Sequence, residues 1–153
     1  MSIETRLAEL GLTLPQPAAP VASYVPAVEA GGLLHISGQL PFLDGQLMTG
    51  RLGDDRDLDY GQKAAQMCAV MLVAQMKAAL GSLDRVVRIV KLGAFISSSA
   101  NFTDQPKVAN GASDLMVALF GDAGKHARSA VGVPVLPLNA VVEIDAIVAV
   151  QGA

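Results

Sequence analysis

The chain has 153 residues, close to one ordinary domain, a length that does not accommodate separate cofactor and substrate lobes. Hydrophobic residues make up 52% and charged residues 16%, which excludes a disordered chain and points to apolar surface beyond one core, covered by another subunit. Eleven Lys and Arg against fourteen Asp and Glu give a formal charge of -3, so a polyphosphate backbone finds no clustered positive charge and nucleic acid is not an expected partner.

The start, Met1 to Arg6, lacks the basic stretch and apolar block of a signal peptide. The longest uncharged run, Leu10 to Val28, is broken by Pro15, Pro17, Pro20 and Pro26, so no membrane-spanning helix is expected. The single cysteine, Cys68, cannot form an intrachain disulfide, and a cytoplasmic location is expected.

In chain order, Ser2 caps a short docking helix over Ile3 to Leu10 that stops at Gly11. Pro15 to Pro20 reads as an extended connector. Val21 to Ala30 and Leu33 to Ser37 flank Gly31-Gly32, the composition of a tight hairpin. A loop with Gly45, Gly50 and Gly53 follows, and its charged run Asp54-Asp55-Arg56-Asp57 reads as solvated loop.

Leu58 to Leu80 contains no proline and only one glycine, Gly61, which predicts a helix buried around most of its circumference. Met67, Met71 and Met76 on it read as core rather than as a ligand groove. After Gly81, Val86 to Ile96 is a long strand. A second helix, capped at Thr103 or Asp104, has Pro106 in its first turn, Val108, Leu115 and Leu119 as its core stripe, and Gly121 beyond its end. Two last strands run from Ala127 to Val133 and from Ala140 to Val150.

This order predicts an α+β fold, a mixed β-sheet with two helices packed on one face. In the last strand Val142, Ile144, Ala146, Val148 and Val150 point one way and Glu143, Asp145, Ile147 and Ala149 the other, so both faces carry apolar groups. Apolar groups on the face without helices argue for homo-oligomerisation.

His35, His126 and Cys68 lack the spacing of a zinc site, and His35, within a strand, reads as structural. No glycine-rich turn joins a strand to a helix with dinucleotide spacing, so no cofactor is expected. The informative feature is a pair of isolated charges. Arg128 is followed by fourteen uncharged residues and then Glu143. Arginine presents a planar fork suited to carboxylates, so one reading is an anion pocket in which Arg128 holds a carboxylate and Glu143 handles a water. The other is a structural Arg128 to Glu143 ion pair.

Tyr24, Ser37-Gly38-Gln39-Leu40-Pro41, Gly81-Ser82-Leu83-Asp84-Arg85-Val86-Val87, Asn110, Ala127-Arg128-Ser129, Leu136-Pro137 and Glu143-Ile144 together resemble the reactive intermediate deaminase (Rid/YjgF, endoribonuclease L-PSP-like) family. The motifs run in family order from about residue 21 onward, within a single domain over 1–153 whose first twenty residues are an addition. The resemblance implies a chorismate-mutase-like fold and a homotrimer with a trimeric β-barrel core, helices outside, and clefts between subunits. It implies hydrolysis of enamines and imines derived from amino acids to 2-oxo acid and ammonia, with neither metal nor cofactor. Arg128 would bind the substrate carboxylate with the backbone N–H of Ala130, Glu143 would position the water, and Tyr24, Ser37, Gly38 and Asn110 would line the cleft. Ala130 stands where the family commonly has cysteine, Ser113 where an aromatic is usual, and Gly132 where an acid is common. Binding of a small carboxylate metabolite without turnover is the alternative function. RNA cleavage, named for some relatives, finds neither a basic stripe nor an obvious catalytic histidine pair.

Overall fold

The computed structural model describes residues 1–18 and 22–152. Helix α1 spans Ile3–Glu9, and strands β1 (Ala27–Ala30) and β2 (Leu33–Gln39) form the first hairpin. Short strands β3 (Phe42–Leu43) and β4 (Gln46–Leu47) precede α2 (Leu58–Leu80) and β5 (Val86–Ser97). Helix α3 (Gln105–Phe120) then leads to β6 (Ala127–Val133) and β7 (Val142–Val150). Five strands make one sheet in the order β1-β2-β7-β5-β6, antiparallel except for the β5–β6 pair.

Helix α2 has the predicted bounds because its ends are marked chemically. The Asp57 carboxylate accepts from the Tyr60 N–H at 2.9 Å, and Gly81 follows with φ 79. Asp57 therefore caps the helix, and Asp54 to Asp57 are all exposed, as the solvated-loop reading expects. The rest of that charged run is folded as well, with Asp55 accepting from the Arg51 N–H and Arg56 lying 4.1 Å from the centre of the Tyr60 ring. The β3–β4 hairpin, read above as plain loop, turns on Asp44-Gly45, both at positive φ.

Both long helices lie on one face of the sheet, α2 against β2 and β7, α3 against β5 and β6. Leu72, Val73 and Met76 of α2 and Leu115, Met116 and Leu119 of α3 are buried with Leu34, Ile36, Leu92, Ile96, Ile144 and Val148 of the sheet. Each such side chain contributes about 1.5–3 kcal/mol by leaving water. Met67 is buried like Met76, and Met71 is partly exposed.

Helix α1 docks on this layer through buried Leu7, an Arg6 bond to the Leu119 carbonyl at 2.6 Å and a Lys77–Glu4 pair at 2.5 Å. Pro20 and Val21, where the connector was to pass into strand, lie outside the described residues. The first strand begins only at Ala27, after bends over residues 22–24 and at Pro26.

On the other face, His35, Lys91, Phe95, Ser129, Val131, Asp145 and Ile147 line an open depression of about 510 Å3. His35, expected to be a satisfied structural residue, is instead exposed on this face. No helix among the described residues is long and apolar enough to cross a membrane.

Candidate functional site

Strand β6 is an edge strand whose residues alternate between the two faces. Leu92, the register partner of Arg128, is buried in the core, so Arg128 projects toward the helices. There its Nη1 donates to Asn110 Oδ1 at 2.9 Å and to Ser113 Oγ at 3.0 Å, and Nη2 donates to the Pro106 carbonyl at 3.3 Å. All three acceptors belong to α3, where Pro106, Asn110 and Ser113 fall on one side at helical spacing. The guanidinium is half-buried, and among the described residues no carboxylate lies within ion-pair distance of it.

Glu143 is built differently. Its neighbours Val142 and Ile144 are fully buried toward the helices, so its side chain leaves from the open face, opposite Phe95 of β5. The β2–β7 pairing slips between Ile36 and Gln39, a bulge that contains Ser37 and Gly38. The carboxylate lies against Gly38 so closely that a Cβ there would collide with Glu143 Oε2. A buried tie holds the bulge. Gln75 of α2 donates to Gln39 at 3.3 Å, and Gln39 donates to the Ser37 carbonyl at 2.9 Å. Ser37 Oγ in turn donates to the Val25 carbonyl at 3.2 Å, next to exposed Tyr24.

Burial pushes the Glu143 carboxyl above its ordinary range, and the like charge of Asp145 adds to this. Asp145 is also raised by burial, although a bond from the Gly93 backbone and the charge of Lys91 pull it back.

The expected residues therefore fall into two groups. Arg128 joins Asn110, with Ala130 two residues along on the same face of β6. Glu143 joins Gly38, beside Ser37 and the Tyr24 segment. The groups do not meet within one chain. Strand β5 separates β6 from β7, and the side chains of Arg128 and Glu143 leave opposite faces of the sheet. A structural Arg128–Glu143 ion pair is thus corrected: side-chain parity forbids it.

Ser113 and His126 were not anticipated as site residues. Ser113 Oγ contacts Arg128 and lies 2.8 Å from His126 Nε2, while His126 Nδ1 lies 2.6 Å from the Gly124 carbonyl. The available signal was Asn110-x-x-Ser113, two polar side chains three apart on a helix facing an arginine strand.

A mixed five-stranded sheet with two helices packed on one face places the protein in the α+β class. A family profile described as "YjgF/chorismate_mutase-like, putative endoribonuclease" matches residues 4–149, and the chain belongs to this Rid/YjgF/L-PSP family. It is 53% identical over 148 residues to Protein TCP17 of Trypanosoma cruzi, covering 95% of this chain and 92% of the relative. It resembles the crystal structure of Atu1372, a protein of unknown function from Agrobacterium tumefaciens. The TM-score is 0.92 at 50% identity, covering 97% of this chain and 92% of that one. It is also 31% identical over 134 residues to a 2-iminobutanoate/2-iminopropanoate deaminase of Dermatophagoides farinae, covering 86% and 89% of the two chains.

Proposed function

We propose that this protein hydrolyses small imines and enamines derived from amino acids, releasing a 2-oxo acid and ammonia in clefts between the protomers of a homotrimer. The observation that carries the reading is the state of Arg128, a half-buried guanidinium whose contacts are all neutral acceptors. A positive charge so held, with no carboxylate partner among the described residues, favours an incoming anion, and a planar carboxylate matches its fork. The kinship with a 2-iminobutanoate/2-iminopropanoate deaminase supports the same chemistry.

The opposed faces of Arg128 and Glu143 support a composite cleft. The β6 edge of one protomer brings Arg128, Asn110 and Ala130 to the Glu143, Gly38 and Ser37 face of its neighbour. A trimer also covers the open sheet face with further copies of itself.

In that cleft Arg128 anchors the carboxylate and so fixes the adjacent C=N carbon. Water adds to this carbon and the imine nitrogen takes up a proton, giving a carbinolamine. The C–N bond then breaks, ammonia leaves, and C=O replaces C=NH with the consumption of one water. Glu143 takes the proton from the attacking water and passes it to the imine nitrogen, and in the second step takes the carbinolamine hydroxyl proton and passes it to the departing nitrogen. A carboxyl raised by burial suits both steps, because its two protonation states lie closer together near neutral pH.

The test is release of pyruvate from 2-aminoacrylate generated in situ, followed for the wild type and Arg128→Ala. The wild type should accelerate release, and the variant should lose about 1.5–3 kcal/mol of transition-state binding, roughly ten- to a hundredfold in kcat/KM. A wild type no faster than Arg128→Ala overturns the hydrolytic reading. Arg128-dependent thermal stabilisation by pyruvate, without turnover, would establish the carboxylate-binding reading in its place.

A further inference from the structure

The contacts of Arg128 continue beyond α3 into a chain whose hydrogen-bond direction can be worked out. A carbonyl oxygen can only accept, so at 2.6 Å from the Gly124 carbonyl the His126 Nδ1 carries the proton. In the neutral ring Nε2 is then an acceptor, and the hydrogen between it and Ser113 Oγ, 2.8 Å away, belongs to the serine hydroxyl. That leaves the Ser113 lone pairs to receive Arg128 Nη1 at 3.0 Å. For the neutral ring the direction follows throughout: arginine gives to serine, serine to histidine, histidine to the backbone.

The terminal acceptor is itself fixed. Gly124 is buried in the short 3-10 turn Gly121–Gly124, packed so tightly on α3 that a Cβ would collide with the Met116 carbonyl. Asn110, the other side-chain acceptor of Arg128, lies one turn before Ser113 on the same helix. The guanidinium is thereby referenced at one point to α3 and at another, through two side chains, to the turn before β6.

We propose that Ser113 and His126 are positioning residues for Arg128, a relay that sets the guanidinium rotamer and thereby its affinity for a carboxylate. The relay leaves Nε–H and one Nη2 N–H for the anion, because Asn110 and Ser113 share Nη1 and the Pro106 carbonyl takes the other Nη2 hydrogen. The inference rests on the carboxylate reading of Arg128 and extends it to two residues that would not touch the substrate. Loss of the serine hydroxyl leaves the fork with exposed Asn110 on Nη1 and the 3.3 Å bond from Nη2 to the Pro106 carbonyl, a looser hold on its orientation.

The test pairs removal with conservative restoration and adds a readout taken without ligand. Pyruvate affinity is measured for the wild type, Ser113→Ala, Ser113→Thr, His126→Phe and His126→Gln, with Arg128→Ala as reference. Ser113→Ala and His126→Phe should weaken binding about three- to tenfold, an indirect effect smaller than that of removing the guanidinium, with kcat on the imine nearly unchanged. Ser113→Thr restores the hydroxyl and His126→Gln an acceptor, so both should recover affinity to within about twofold. Long-range 15N NMR of the ligand-free protein should find His126 as the Nδ1–H tautomer, with Nε2 as acceptor.

Wild-type affinity in Ser113→Ala, or an Nε2–H tautomer in the folded wild type, overturns the relay while leaving the Arg128 reading intact. Pyruvate binding that is indifferent to Arg128→Ala overturns the carboxylate reading itself.

Discussion

Arg128 and Glu143 are held in place by opposite means. Around Arg128 the chain supplies atoms, with Asn110, Ser113 and the Pro106 carbonyl accepting its N–H groups and His126 behind the serine. Around Glu143 the described residues supply no bonding partner, Gly38 leaves the space the carboxylate fills, and burial is the main influence on its protonation. The difference separates two tasks. A group that must hold an anion in one orientation benefits from directed bonds, whereas a group that exchanges protons benefits from incomplete solvation and few fixed partners.

The largest test of the contrast is Glu143→Gln, which keeps size and loses the proton. It should lower kcat by roughly a hundredfold or more while pyruvate affinity stays near wild type, because Arg128 is untouched. Equal loss of binding and turnover would mean that the two halves are not separate in role. Gly38→Ala should come next. The added Cβ meets the far end of a flexible side chain, so the fold survives in a thermal melt while the carboxylate shifts, costing up to about a hundredfold in kcat. Arg128→Lys then sharpens the other half. The charge remains but the fork that spans Asn110, Ser113 and a carboxylate does not, and KM should rise about tenfold with little change in kcat.

Most of the fold was legible in the sequence because its signals were local. Asp57 and Gly81 bracket α2, Gly31-Gly32 turns the first hairpin at φ 61 and 80, and β6 has the bounds its composition predicts. The β3–β4 hairpin was also legible in principle from Asp44-Gly45, but two-residue strands give no alternation to read. Asp104 occupies the position before α3 without its side chain capping the helix, so composition found the boundary and not the bond.

The site was legible by residue type and not by geometry. Arg128 and Glu143 stand out as lone charges, yet which face each occupies depends on pairing across β5, where Leu92 meets Arg128 and Phe95 meets Glu143. That register is a long-range property, and without it a pocket and an ion pair look alike. Ser113 stands out in the sequence only as a departure from the family's usual aromatic, and its bond to Arg128 is illegible for a related reason: nothing local says that a guanidinium lies opposite it.

The smallest effect expected is on stability, and its sign separates Glu143 from an ordinary surface acid. Burial raises Glu143 and Asp145, so the folded state holds their protons to higher pH than the unfolded chain does. Their contribution is fully present below the unfolded carboxylate range and is lost as pH rises through the raised folded values. Glu4 runs the other way, because its bond to Lys77 lowers it, and its small contribution is present above that range and fades on acidification. The opposing slopes partly cancel in the wild type, so the comparison must be a difference between proteins. Glu143→Gln should melt higher than the wild type at neutral pH, and the gap should narrow on acidification as Glu143 takes up its proton. A variant that melts lower than the wild type at neutral pH, by a margin that closes in acid, would mean that the Glu143 carboxylate is stabilised where it sits rather than merely given room.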